Sequence, residues 1–206
     1  MALKFAVNNS LSAVTTLPTA IPTGALSLIQ TQTASSSATI DFTSGIDSTY
    51  DSYVFKFINI HPATNNVGFQ VNFRDGGSSF DAVKTTTSFG VYHREDGGES
   101  NLRYQTATDL AQSTANQSLN HYNSINANES DSSVSGTLTL YNPSSDTFVK
   151  HFVSNVNSMN QENANRYSIN SYTAGYCNVT VAIDGVRFAM TSGNIDSGTI
   201  KMYGVK

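Results

Sequence analysis

Apolar and polar residues alternate along much of this 206-residue chain with the two-residue period of β-strands. Val67, Phe69, Val71 and Phe73 are separated by Gly68, Gln70 and Asn72, which predicts a strand with one buried and one wet face. The same rhythm runs through Leu26, Leu28 and Gln30, through Ala38, Ile40 and Phe42, and through Tyr53, Phe55 and Phe57 until His61-Pro62 stops it. Asp75-Gly-Gly-Ser-Ser79 reads as a turn, with Ala82 to His93 as the strand returning from it. Glu95 to Ser100 is a second such turn, leading to Leu102-Arg103-Tyr104.

Beyond Ala111 to Ser133, which is dense in Asn, Ser and Gln and predicts a long loop, strands resume at Val134 to Tyr141, Thr147 to Val156 and Arg166 to Tyr172. Asn155 to Asn165 offers a helical turn as an alternative. Thr173 to Thr180 is expected to be a turn or a short helical crossing that carries Cys177. Near the C-terminus, Val186, Phe188 and Met190, a turn segment containing Gly193, and Thr199 to Tyr203 predict a hairpin with one apolar face. Gly193 and Gly198 bracket that turn, where positive φ is cheap without a Cβ. Roughly eight to ten short strands with no helical period between them predict an all-β domain over 25–206, a two-sheet antiparallel sandwich of jelly-roll type or a Greek-key relative. Residues 1–24 differ: Leu17-Pro18 and Ile21-Pro22 remove ladder donors and favour extended backbone. An extended N-terminal arm is expected there, lying against a neighbouring subunit of a homo-oligomer.

Composition narrows the function classes. The net charge of −4 disfavours a nucleic-acid groove or an anionic membrane surface, both of which need clustered Lys and Arg. No window approaches the ~20 apolar residues of a membrane span, and the residues behind Lys4 form no leader-like apolar run. These features fit a chain made in a cytoplasm and released without a signal. Cys177 is the only cysteine, which rules out an internal disulfide and predicts a small buried hydrophobe.

No catalytic motif or cofactor motif stands out. His61, His93, His121 and His151 lack zinc-site spacing, and His151 is expected on the polar face of its strand. Acidic residues cluster as Asp41, Asp47 and Asp51, as Asp75 and Asp81, and as Glu95, Asp96 and Glu99. An EF-hand spacing is missing, so both Gly-Gly segments read more simply as turns than as calcium loops. A loop-sited glycan hydrolase would need two such carboxylates facing each other across a cleft. A carbohydrate-binding module would instead need an aromatic platform, for which Tyr92, Tyr104 and Tyr122 are the candidate surface-contact residues.

The closing segment, Val186 to Gly204 with Ser192-Gly-Asn-Ile195 and Ser197-Gly-Thr-Ile-Lys-Met-Tyr-Gly204, resembles the end of many uncharacterised jelly-roll-type virion structural proteins of tailed bacteriophages, particularly marine ones. The likeness extends back through Ser135-Gly-Thr-Leu-Thr-Leu-Tyr-Asn-Pro-Ser-Ser145 and Phe148-Val-Lys-His-Phe152, and so covers most of the chain after about Leu26. It implies a non-enzymatic virion protein, in a tail fibre, tail tip or other surface appendage that mediates assembly or host adhesion, with a capsid decoration (cement) protein as the alternative. The partners implied are other virion subunits met through the N-terminal arm, further copies of this chain, and a host surface glycan. Neither nucleic acid nor membrane insertion is expected.

Overall fold

The computed structural model describes residues 26–120, 125–162 and 165–206. The arm expected over 1–24 and the candidates His121 and Tyr122 lie outside the described residues. Twelve strands follow in chain order: β1 (Ser27–Thr33), β2 (Ile40–Phe42), β3 (Ser52–Pro62), β4 (Phe69–Arg74), β5 (Lys84–Arg94), β6 (Ser100–Tyr104), β7 (Gln117–Ser118), β8 (Val134–Tyr141), β9 (Lys150–Glu162), β10 (Asn165–Cys177), β11 (Gly185–Met190) and β12 (Ile195–Val205). They form an eight-stranded sheet, β1-β12-β3-β8-β9-β10-β5-β6, and a four-stranded sheet, β2-β11-β4-β7, with every pairing antiparallel. The two pack as a sandwich. If β5, β6, β9 and β10 are set aside, β1-β12-β3-β8 faces β2-β11-β4-β7, an order consistent with jelly-roll wiring into which two hairpins have been inserted.

Those insertions divide the large sheet in two. Its β1-β12-β3-β8 half shares with the small sheet a core made by strict alternation: Phe55 and Phe57 from β3, Phe69, Val71 and Phe73 from β4, Phe188 and Met190 from β11, and Ile200 and Met202 from β12 are all buried. Phe188 sits at the centre, with ring centroids of Phe55 at 5.4 Å, Phe57 at 5.1 Å and Phe69 at 5.6 Å. The expected strand faces of β4 and β11 are therefore as read from the sequence.

The inserted half is lined differently. Its inward residues include Thr86, Ser88, Ser154, Ser158, Ser171 and Thr173, all buried, and of these Thr86 and Thr173 bond to the segment 105–120, in which β7 is the sole strand. Most of these buried hydroxyls find partners, Ser154 Oγ donating to the Thr137 carbonyl of β8 at 3.0 Å, whereas Ser158 Oγ is buried without one. Thr86 Oγ1 donates to Gln117 Oε1 at 2.6 Å and accepts from the Leu110 N–H at 2.8 Å, while Gln117 Nε2 donates to the Ser118 carbonyl at 2.7 Å. Ser88 and Thr173 hydroxyls meet at 3.2 Å across the β5–β10 ladder.

Four sequence expectations are corrected. Val186–Met190 and Thr199–Tyr203 are not a hairpin, because β11 pairs with β2 and β4 while β12 pairs with β1 and β3. The turn between them crosses from one sheet to the other. Gly193 (φ 70°) does lie in that crossing, but Gly198 (φ 119°) lies in β12 at a register shift, where a Cβ would come within 2.6 Å of the Asn59 carbonyl. Similarly, β5 does not return beside β4; it crosses to the large sheet and pairs with β10 and β6. Thr173 to Cys177 continues β10 without a turn or helix, and Asn155 to Glu162 continues β9. The long β9–β10 ladder supplies the backbone partners that a helical turn would otherwise have found within itself.

Candidate functional site

The candidate site is the outer face of the inserted half, built by the registers of β9, β10, β5 and β6. Directly opposed residues share a face. Phe89 lies opposite Tyr172 on one side and Tyr104 on the other, Val91 opposite Leu102, Ala174 opposite Thr87 and Val153, and Tyr176 opposite Thr85 and His151. Phe89 and Tyr172 stack with centroids 5.0 Å apart and planes 13° from parallel. His151 and Tyr176 meet edge to face at 6.0 Å. Between these two pairs a shallow depression of about 280 Å³ is floored by Ala174 and lined by Thr85, Thr87, His151, Val153 and Tyr176. His151 is exposed on the outward face, as its sequence position suggests.

This face leaves apolar surface in solvent: Phe89, Val91, Leu102, Tyr104 and Val153 are all exposed. The outward positions from His151 to Met159, Ser168 to Tyr176, Thr85 to His93, and Leu102 to Tyr104 carry no Asp, Glu, Lys or Arg. Asn155, Asn157 and Asn170 supply amides among the rings, with Asn170 Nδ2 donating to the Tyr172 hydroxyl at 2.9 Å. A flat face of rings, amides and hydroxyls without formal charge offers stacking and neutral hydrogen bonds.

Of the three tyrosines singled out in the sequence, Tyr104 lies on this outer face. It is 54% exposed, and its hydroxyl donates to Asp109 Oδ2 at 2.8 Å, a bond that raises the phenol's pKa above its usual value. Tyr92 is a correction: it is buried, packs edge to face on Tyr167 at 5.8 Å and donates to Glu99 Oε1 at 2.6 Å. Alternation along β5 sends Phe89 and Val91 outward, so Tyr92 must point inward. The residues missed in the sequence are Phe89, Tyr172 and Tyr176, which acquire meaning only when β5 and β10 are known to be neighbours.

The acidic clusters do not gather. Asp41 is held bidentately by Arg187 at 2.8 and 2.6 Å on the small sheet, Asp47 accepts from the Thr49 N–H at 2.8 Å, and Asp96 accepts from Arg94 within the β5–β6 turn. Among the described residues, no three of His, Cys, Asp and Glu are placed to hold a metal ion.

Chemically distinct groups lie on the inner side. Lys84, Cys177 and Lys150 are register partners across β5-β10-β9, and all three are fully buried. Lys84 Nζ donates to the carbonyls of Ala82 (2.9 Å) and Ala115 (2.8 Å), and Lys150 Nζ to that of Val179 (2.8 Å). Burial pulls the Lys84 ammonium down to about 8 and pushes the Cys177 thiol up to about 12. A thiol held protonated in this way is a poor nucleophile, and the sequence expectation of a small buried residue at Cys177 describes it well. Lys84 works as a clamp, tying the strand to the Ala115 segment that covers it.

Compared with protein-family models, curated proteins and solved structures, the chain finds no match.

Proposed function

We propose that this chain is a non-enzymatic structural protein of a tailed-phage virion, belonging to a tail fibre, tail tip or similar surface appendage, and that it adheres through the outer face of β9, β10, β5 and β6. The observation that carries the reading is the chemistry of that face. Its outward strand positions present rings beside a shallow depression and no carboxylate of their own, the nearby Asp109 being engaged by the Tyr104 hydroxyl, which suits a neutral polar partner such as a host surface glycan better than it suits turnover of one. The resemblance of the closing segment to virion proteins supplies the particle context, and a rigid sandwich supplies the scaffold.

Locating the chain on the imaged particle tests the placement, and phage carrying Tyr172→Ala together with Tyr104→Ser test the contact face. Adsorption to host cells should fall at least tenfold while particle assembly is unchanged. If adsorption were unchanged and particles instead lost resistance to heat, the chain would be a capsid decoration protein. Cleavage of a purified host polysaccharide by the isolated protein would overturn the non-enzymatic reading.

A further inference from the structure

We propose that β6 is a self-pairing edge: two copies of the chain join their large sheets by antiparallel β6–β6 pairing about a twofold axis at Leu102. Two ladder bonds settle which way the β6 backbone faces. Arg94 N–H donates to the Glu99 carbonyl and Gln105 N–H to the Ser88 carbonyl, each at 2.8 Å, so the hydrogen-bonded positions toward β5 are 99, 101, 103 and 105. Ser100, Leu102 and Tyr104 therefore turn their N–H and C=O groups to the open side. Among the described residues, no strand pairs with that side.

The other sheet edges are protected and this one is not. β1 carries a bulge between Leu28 and Gln30, and β2 and β7 are three and two residues long. β6 has five residues, all exposed, with no proline and no register shift. Its outward side chains Leu102 and Tyr104 are 66% and 54% exposed and continue the apolar surface of Phe89 and Val91.

The sequence of this edge is complementary to itself, which commits the partner to a second copy. A twofold at Leu102 sets Leu102 against its symmetry mate, Ser100 against Tyr104, Asn101 against Arg103 and Glu99 against Gln105. No like charges meet in any of these pairs. Shifting the register by one step of the ladder in either direction loses an end pair. The centred register satisfies the three outward donors and three outward acceptors of each copy in about six backbone hydrogen bonds.

Sedimentation of the full chain across a concentration series should show a monomer–dimer equilibrium. Leu102→Pro removes an outward donor but none of the bonds to β5, so the fold should keep its melting temperature while the dimer dissociation constant rises at least tenfold. Leu102→Lys, which keeps every backbone group but sets like charges face to face, should do the same and covers the case in which the proline variant misfolds. Leu102→Cys should crosslink as a disulfide dimer on mild oxidation, whereas Val181→Cys, exposed elsewhere, should not. A wild-type chain that stays monomeric at all concentrations, or a dimer indifferent to both Leu102→Pro and Leu102→Lys, would overturn the proposal. Tyr172 lies on β10, away from this edge, so adsorption of phage carrying Tyr172→Ala alone tests the contact face independently and the two readings fail separately.

Discussion

The two halves of the large sheet share one ladder and differ in what covers them. Under the small sheet, the core is rings packed on rings, and cohesion there is non-directional: Phe188 touches Phe42, Phe55, Phe57 and Phe69, and any similar side chains of the right volume would hold. Under the 105–120 segment, the cover is attached by named hydrogen bonds, such as Thr86 to Gln117 and Lys84 to Ala115. These bonds tolerate little displacement. An apolar interface resists unfolding through area, whereas a polar one fixes a single arrangement and penalises the loss of one partner. The half held by directional bonds is also the half whose outer face carries the exposed rings. Its outward geometry is thus set by a layer that has few alternative packings.

The largest effect expected from breaking this comparison is in the aromatic half. Phe188→Ala should cost roughly 3–5 kcal/mol in urea unfolding, because the ring is fully buried between both sheets and its neighbours cannot all close the gap. Thr86→Val tests the polar half with almost no change of shape. It leaves Gln117 Oε1 and the Leu110 N–H facing a methyl group, which should cost about 2–3 kcal/mol. Hydrogen exchange should then localise the loss to the covering segment, leaving β4 and β11 protected. Equal deprotection of both halves by Thr86→Val would show that they unfold as one unit and that the contrast has no energetic meaning.

The same contrast explains what the sequence made legible. In β4 and β11 the inward residues are the apolar ones, so Val71, Phe73 and Phe188 announced their faces and the sandwich could be expected. Period-two alternation names a face but never a neighbour, and turn residues such as Gly193 serve a hairpin and a sheet crossing equally well. Hence the pattern predicts a β11–β12 hairpin, whereas the two strands belong to different sheets. In β5 the hydrophobic pattern is inverted: Thr86, Ser88 and Gly90 point inward while Phe89 and Val91 point to solvent. Any reading by hydrophobicity puts the wrong side of that strand in the core, and with it misjudges Tyr92. The inversion was itself the available signal for the contact face, since apolar residues opposite a small polar set on one strand require either a second cover or exposure.

Acidity offers a gentler probe of the polar half. Lys84 is depressed from 10.5 to about 8, so the unfolded chain binds more protons between those values and stability should rise with pH from about 8 toward 10.5, being lost as pH falls through 8. Cys177 is raised from 9 to about 12, so its contribution is present below 9 and lost above it. Cys177 when ionised, and then Asp81 and Asp75, favour the charged lysine and limit its shift. The two groups oppose each other above pH 9. Unfolding free energy should therefore climb by about 1 kcal/mol between pH 7 and 9 and then level off, and Cys177→Ala should remove the levelling and let the rise continue to pH 10. A flat profile for both proteins would mean that Lys84 keeps its charge at no cost, through water reaching it under the cover.

The smallest stability effect belongs to the outer face. Phe89→Ser removes a ring that stacks on Tyr172 but is 43% exposed, so the core loses nothing and the cross-strand pair loses at most about 1 kcal/mol. Its stability cost should be well below that of Thr86→Val, although Thr86 is the smaller side chain and only three residues away on the same strand. If the outer face is where the particle makes contact, the ranking by function reverses: Phe89→Ser should abolish most adsorption from a protein that melts almost normally, while Thr86→Val should impair adsorption only in proportion to unfolding. Measuring both variants for melting temperature and host attachment separates the two roles of one strand. A Phe89→Ser phage that attaches as wild type would leave the inverted pattern of β5 without a functional reason.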